Sequence, residues 1–374
     1  LAGIYIHIPF CRKACHYCNF HFSTSLQFKN DLLDALLKEI NLTSGKKSEQ
    51  IETIYFGGGT PSILDREELD KIIKQLKNDF LIAPDVEITL EANPDDITPD
   101  KANAWIKAGI NRLSIGIQSF RDGDLQWMNR SHSAHQARQA IADIKSAGFD
   151  NFSIDLIFGT PGLDMKSWIA NIEEAISLSI PHLSCYALTV EPRTALDKMI
   201  ALQKKEAPDP DFQAEQYLVL MDQLEKSGYD HYEISSFSLP GKHSRHNKSY
   251  WQGKSYFGFG PSAHSFDGTS RKWNVAHNIN YIKSISEGRI PFESEFLTSK
   301  QQLNEFIMTS LRTSEGIFLD EIMIKWGEES HSSLMHSAQP YIQSGKLANI
   351  KNRLVLSREG KLFADGIAAS LFKD

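Results

Sequence analysis

Three cysteines stand within eight residues, as Cys11-x3-Cys15-x2-Cys18, directly after a short apolar run. Thiolates are soft ligands that suit iron–sulfur clusters, zinc or copper. A structural zinc site takes four ligands, and His16 lies too close along the chain to complete one easily. Three thiolates leave one iron of a [4Fe–4S] cube without a protein ligand, open to a cofactor or substrate. A [4Fe–4S] cluster on Cys11, Cys15 and Cys18 is therefore the sharp reading, and a zinc loop the bland one. Cys185, the fourth cysteine, falls in a strand-like run and reads as a buried core residue.

A second group of residues could hold a polar ligand. Gly57-Gly58-Gly59-Thr60-Pro61 follows a strand-like run, and glycines let the backbone approach a ligand with its N–H groups exposed. Such a run alone can equally be a tight turn. Glu91 and Gln118 end two further strand-like runs, Asp155 lies within a third, and Arg130 follows in Trp-Met-Asn-Arg. Carboxylates accept from hydroxyls and ammonium groups, and arginine pairs with carboxylates. A third group, from His243 to His264, mixes three histidines with aromatics and glycines. Imidazole and phenolate both ligate haem iron, and aromatic rings offer flat apolar surface. Taken alone, His246 is better read as a hydrogen-bonded structural residue.

The elements that must position these residues alternate. Strand-like runs at 4–8, 53–56, 86–91, 113–118, 152–158 and 183–188 are separated by helical patterns at 28–42, 67–79, 100–108, 134–147 and 165–178. Phe28, Leu32, Leu36 and Ile40 share one face of the first helix, and Ala108-Gly109 and Ala147-Gly148 look like helix ends. Such alternation predicts a parallel sheet with right-handed crossovers, and six units predict a partial (β/α)6 barrel. The strand faces are informative because side chains alternate with period two. Ile4, Ile6 and Ile8 oppose Tyr5 and His7; Val86, Ile88 and Leu90 oppose Glu87, Thr89 and Glu91; Leu113, Ile115 and Ile117 oppose Ser114, Gly116 and Gln118; Ile154 and Leu156 oppose Ser153 and Asp155. A polar second face predicts a splayed lumen for a polar ligand; an open sheet with one solvated face is the alternative. The expected domains are residues 1–190 as the barrel with the cluster, 191–285 as a barrel-completing segment with the His/aromatic stretch, 286–299 as a linker and 300–374 as a small C-terminal domain. Helices followed by the pair 347–350 and 353–357 give that last domain a winged-helix-like α+β character.

With 374 residues, 41% hydrophobic, the chain can bury full cores without disulfides. A net charge of −7 disfavours a general nucleic-acid surface. No run reaches the ~18 apolar residues of a membrane span. The first ten residues read as a strand and not as a signal peptide. Clustered cysteines without an export signal predict a reducing cytoplasm.

The segment Tyr5-Ile-His-Ile-Pro-Phe-Cys11-Arg-Lys-Ala-Cys15-His-Tyr-Cys18 resembles the radical S-adenosylmethionine (SAM) signature. More narrowly it is similar to the family of the oxygen-independent coproporphyrinogen III oxidase, which has a haem-chaperone branch. The likeness continues through Asp155-Leu-Ile-Phe-Gly159-Thr-Pro161-Gly162, Tyr186-Ala-Leu-Thr-Val-Glu191-Pro192-Arg-Thr194, Tyr232-Glu233-Ile-Ser and Leu311-Arg312-Thr-Ser-Glu-Gly316. The resemblance implies that Gly58, Gly59 and Thr60 meet the methionine amino group of SAM. It assigns Tyr5, Tyr17, Glu91, Gln118, Arg130 and Asp155 to cofactor contacts as well. Two departures from the oxidases point to the chaperone branch: Phe20 stands where they carry a fourth cysteine, and they have an extension before strand one that does not appear here. His246-Asn247-Lys248-Ser249-Tyr250 resembles that branch's haem-associated motif, making His246 and Tyr250 the candidate haem residues.

The resemblance implies a haem-binding chaperone that transfers haem to haem-dependent proteins, with the [4Fe–4S] cluster and SAM as cofactors and no catalytic residue. Expected partners are haem and recipient haem proteins, respiratory proteins at the membrane among them, with no nucleic acid; a homodimer is left open. The alternative is an oxidoreductase of the coproporphyrinogen dehydrogenase type, which decarboxylates propionates through a SAM-derived radical.

Overall fold

The computed structural model describes residues 2–43 and 49–373. Leu1 and Asp374, the outer bounds of the expected domains, lie outside the described residues. Six strands run parallel and in chain order: β1 (Ala2–Ile8), β2 (Gln50–Gly58), β3 (Leu81–Ala92), β4 (Arg112–Gln118), β5 (Phe152–Phe158) and β6 (His182–Ala187). The crossovers carry α1 (Lys29–Thr43), α2 (Arg66–Asp79), α3 (Pro99–Ala108), α4 (Asp122–Trp127), α5 (Ala134–Ala147) and α6 (Met165–Ser177). Asp65 and Glu68 form a capping box at the start of α2, and Ser133 and Gln136 form another on α5. Gly109 and Gly148 end α3 and α5 in the left-handed conformation, as the Ala-Gly pairs predict.

Each strand divides as its sequence pattern requires. Ile4, Ile6, Ile8, Leu113, Ile115, Ile117, Ile154 and Leu156 are fully buried against the helices, where Leu32, Leu36, Ile40, Trp105 and Trp168 meet them. The polar face is enclosed too. Thr89, Arg112, Ser153 and His182 are no more than 1% exposed, so the lumen is an enclosed polar interior and not a solvated sheet face.

The sheet is wider than six strands. After α7 (Ala195–Ala201) and α8 (Pro210–Lys226), β7 (Asp230–Glu233) and β8 (Ser236–Ser238) add antiparallel beside β6. Then α9 (Arg245–Trp251) crosses back under the lumen, and β9 (Tyr256–Phe259) pairs parallel with the opposite edge at β1. β10 (His264–Phe266), β11 (Ser270–Asn274) and, after α10 (Asn278–Ser286), β12 (Phe292–Phe296) extend that edge antiparallel. Residues 286–299, expected as a linker, thus contain a strand. Its five residues are all exposed, so it carries none of the apolar burial that marks a strand in sequence, and backbone pairing to β11 holds it.

The C-terminal part has its own core of Leu303, Ile307, Leu311, Ile322, Leu334, Leu354 and Ile367. It comprises α11 (Ser299–Leu311), β13 (Ile317–Phe318), α12 (Leu319–Gln343, broken at Gly327), β14 (Leu347–Asn349), β15 (Arg353–Leu356) and α13 (Ala364–Ser370). The three strands form a small antiparallel sheet in the order β13-β15-β14, so the expected hairpin gains a third strand. This part is tied to β7 by backbone bonds from Ile234 N to Arg312 O (2.9 Å) and from Ser314 N to Tyr232 O (3.0 Å).

Candidate functional site

The carboxyl ends of β1 to β6 surround a cavity of about 440 Å3. Cys11, Cys15 and Cys18 stand on its rim, all three as partly exposed free thiols. Their loop is fixed from outside: Cys11 N donates to Ser23 O (3.0 Å), and His16 N to Met128 O (3.2 Å). Thr60 Oγ1 lies 3.4 Å from Cys11 Sγ, and Arg130 Nη1 donates to Cys15 Sγ at 3.2 Å. Burial is the main cause that raises the Cys11 thiol and pushes Cys18 up to about 11, so both stay protonated until a metal claims them. Among the described residues no three His, Cys, Asp or Glu side chains converge as a single metal ion requires. The donor set fits a larger, sulfur-ligated group: three soft thiols on one rim, with hydrogen-bond donors already aimed at two of them.

The glycine turn lies beside the thiols. Gly58 has φ +106°, and a Cβ there would stand 2.6 Å from the His7 ring. A Cβ on Gly59 would stand 2.6 Å from Phe10 O. The turn therefore packs onto the chain leading to Cys11 at a distance only glycine allows. Gly58, Gly59 and Thr60 all line the cavity.

Further round, Glu91 accepts from Tyr55 OH at 2.8 Å and from the Gly58 backbone. Burial, with Asp155 adding to it, pushes the Glu91 carboxyl up to about 7. Burial likewise raises Asp155 to about 6 against the opposing influence of Ser184, Arg112 and Arg130. Gln118 lines the cavity from a left-handed residue (φ 66°), where a register shift between β4 and β5 re-aims it. Arg130 is anchored by Nη2 to Asn93 Oδ1 and Gly116 O, both at 2.8 Å. Its Nε is buried and, among the described residues, without a partner, a donor left for a ligand.

Eight of the nine residues expected to contact the cofactor line this one cavity: Tyr17, Gly58, Gly59, Thr60, Glu91, Gln118, Arg130 and Asp155. Tyr5 does not. It sits behind Gly57, bonded to His7 Nδ1 (3.2 Å) and stacked on Tyr55 with ring centres 6.1 Å apart. Several lining residues went unnoticed in sequence, among them Asn93, which holds both Arg130 and Thr60, and Tyr55. Asn93-Pro94 reads only as a turn. Phe20 stands at the mouth, 68% exposed.

The two haem candidates touch each other. His246 is buried in the lumen floor at 1% exposure. Its Nδ1 bonds Thr53 Oγ1 and its Nε2 bonds Tyr250 OH, both at 2.8 Å, and Tyr55 stacks on it at 4.9 Å. Burial depresses it to about 3, so it is neutral. Tyr250 turns its hydroxyl inward to His246 while its residue also lines a cleft of about 740 Å3 between the sheet and the C-terminal part. Tyr250, Trp251, Tyr256 and Phe266 form one wall of it, and Phe306, Phe318 and Trp326 the other. Helix α9 is thus a partition: Asn247 lines the thiol-rimmed cavity, while Lys248, Tyr250 and Trp251 line the cleft.

Residues 5–175 match the radical SAM superfamily, and residues 297–363 match the HemN C-terminal domain. The fold is similar to that of the coproporphyrinogen III oxidase HemN from Escherichia coli, with a TM-score of 0.86 at 22% identity over 100% of this chain and 90% of that one. The chain is 34% identical to the heme chaperone HemW of Bacillus subtilis, over 98% of both sequences. It is 33% identical to HemW of Mycobacterium tuberculosis, over 99% of this chain and 94% of the relative. With such identity along nearly its whole length, the chain belongs to the HemW family of radical SAM proteins.

Proposed function

We propose that this chain is a haem chaperone, carrying haem to haem-dependent proteins on a scaffold that binds a [4Fe–4S] cluster and SAM. The observation that carries this reading is the near full-length identity to proteins named heme chaperones, in a chain with Phe20 at the oxidases' fourth-cysteine position. Cys11, Cys15 and Cys18 would hold the cluster, with Arg130 and Thr60 steadying two of the sulfurs. When bound, the cluster and SAM supply one-electron chemistry at the open iron. The chain's own part is binding and orientation. Backbone N–H groups of the glycine turn, the Glu91 and Asp155 carboxylates, the Gln118 amide, the Tyr17 phenol and Arg130 Nε offer a ring of donors and acceptors to a zwitterionic nucleoside. Tyr5 supports that ring through Tyr55. Haem is cargo in this scheme, with Tyr250 and His246 as its attending residues; the recipients are haem proteins, including respiratory ones. No helix among the described residues is long and apolar enough to cross a membrane.

One observation favours the alternative, oxidative decarboxylation of coproporphyrinogen III. The polar lumen under the thiol-rimmed cavity holds Arg112, whose Nε and Nη2 are unpartnered among the described residues, a cation suited to a carboxylate. Anaerobic reconstitution followed by haem titration and by incubation with coproporphyrinogen III decides between them. Haem binding without conversion is expected; efficient conversion to protoporphyrinogen IX would replace the chaperone by the enzyme.

A further inference from the structure

We propose that Arg112 and Thr89 hold a small inorganic anion, of halide size, in the lumen floor, with His182 as a third donor. This site is independent of the haem-carrying reading above.

The case begins with a buried charge. Arg112 is 1% exposed, and a guanidinium stays ionised in a protein. Its Nε and Nη2 have no partner among the described residues. A buried ion without a counter-charge is far costlier than an unmet neutral donor, and folded chains pair such ions or give them a ligand. The acids of the lumen are engaged elsewhere. Glu87 offers its two oxygens to the backbone N–H groups of Arg245 and His246, Glu91 accepts from Tyr55, and Asp155 accepts from Ser184. The counter-charge is needed in the resting protein, whatever else is bound, which favours a resident ion over the carboxylate of a passing ligand.

Other unmet donors share the floor. Thr89 pairs with Arg112 in the register of β3 and β4, so both side chains enter the lumen from neighbouring strands. Thr89 is fully buried, and its Oγ1 has no partner among the described residues. His182, at the start of β6, is also fully buried, with its Nδ1 in the same state. Burial first, and then Arg112, keeps that ring neutral. Its Nε2 meets Tyr232 OH at 2.7 Å. The Tyr232 oxygen receives the Ser236 hydroxyl and the Ser244 N–H, so its own proton goes to Nε2 and the imidazole hydrogen stays on Nδ1. The floor thus presents a guanidinium, a hydroxyl and an imidazole N–H, a donor set that suits an anion. A monatomic anion has no fixed lone-pair directions, so donors from three strands can share it. Ser114 and Ser184, each two residues further along the strands of Arg112 and His182, line the thiol-rimmed cavity and give the ion its way in.

The anaerobically reconstituted full chain is exchanged into sodium gluconate, whose anion is too large for the floor. Its thermal midpoint is then followed as chloride or bromide replaces gluconate at constant ionic strength. The wild-type midpoint should rise and saturate, gaining about 3 °C at a hundredfold excess of halide over its dissociation constant. Arg112→Met, an apolar replacement of a kind that buried ions commonly tolerate, should remove this response. Thr89→Val should keep the response but weaken halide affinity about tenfold, the loss of one hydrogen bond to a charged group. Where Arg112→Met fails to fold, wild-type crystals grown in bromide carry the test: an anomalous peak within hydrogen-bond distance of Arg112 and Thr89 is expected, and ordered water alone at that place overturns the site. A wild-type midpoint indifferent to halide, or a halide response that survives Arg112→Met, also overturns it. So does a midpoint that answers to propionate but not to halide through Arg112, which would give the guanidinium to the carboxylate of a larger ligand.

Discussion

Replacing Glu91 with glutamine should stabilise the cofactor-free chain at alkaline pH while weakening its hold on SAM. The native carboxyl titrates at about 7, pushed up by burial and then by Asp155, against an ordinary value of 4.5. Below pH 4.5 both folded and unfolded chains hold the proton, and the group costs nothing. Between 4.5 and about 7 the unfolded chain releases it while the native one keeps it, so stability falls as pH rises. At about 1.4 kcal/mol per pH unit the full cost is about 3 kcal/mol above pH 7, and most of it, about 2.5 kcal/mol, accrues between pH 5 and pH 8. An amide still accepts from Tyr55 and Gly58 but carries no charge to bury. The variant should therefore gain about 2.5 kcal/mol over wild type at pH 8 relative to their difference at pH 5. Urea unfolding of both proteins under reducing, anaerobic conditions reads this directly. Asp155 and the other carboxyls titrate in both proteins and largely cancel. The same wild-type-to-variant difference at both pH values would refute the reasoning, because it would mean that the carboxyl is solvated in the native state.

SAM affinity of the reconstituted wild type should fall about tenfold from pH 8 to pH 6, since a carboxyl titrating at about 7 is then mostly protonated and cannot accept as an anion; calorimetry giving a flat profile would remove Glu91 from the contact. Alanine at Cys11, Cys15 or Cys18 should abolish the iron–sulfur absorbance after reconstitution, whereas alanine at Cys185, 2% exposed in β6, should leave it intact; normal reconstitution of Cys15→Ala would break the ligand assignment. Gly59→Ala places a methyl 2.6 Å from Phe10 O and 2.7 Å from Phe10 N, backbone atoms that cannot rotate away. It should cost about 1–3 kcal/mol in thermal or urea unfolding and displace the loop that carries Cys11; a wild-type Tm with a full cluster complement would show that the turn has slack.

The core of this fold was legible because period-two strands and 3.6-residue helices write their buried faces into neighbouring residues. All six parallel strands fall where alternation puts them, and the polar faces that predicted a ligand-holding lumen do enclose one. The cysteines, the glycine turn and the strand-end residues were legible for the same local reason. What stayed hidden depends on partners far along the chain. Glu39 looks like a surface residue of α1, yet it is 2% exposed and bonds Gly260 N (2.8 Å), Asn274 Nδ2 (2.6 Å) and Tyr281 OH (2.6 Å), fixing α1 to α10 and β11. Arg112 opens β4, just before the run 113–118 that the sequence marks as a strand, and gives no sign that it will be buried. Strands β9 to β12 are short and half exposed, with too few apolar positions for a period to emerge. The His-Asn-x-x-Tyr segment was visible as a pattern, but only its helical turn shows that its histidine and tyrosine are bonded to each other, with the histidine buried.

Helix α9 is only seven residues long and is shared by two compartments. Its first turn hangs on Glu87, which accepts from the backbone N–H of Arg245 (3.2 Å) and His246 (3.0 Å) and so fixes the start of the helix to β3. A carrier faces opposite demands from one equilibrium: it must hold its load against dilution and yet give it up on arrival. Were SAM and a load to touch this partition from its two sides, the two equilibria would be tied together, because any factor by which SAM altered the affinity for the load would be the factor by which the load altered the affinity for SAM. Coupling of this kind commonly amounts to about 1–3 kcal/mol, enough to turn a tight complex into one that exchanges readily. In such a device the nucleoside need not react to be useful; its arrival and departure would set when the load is released.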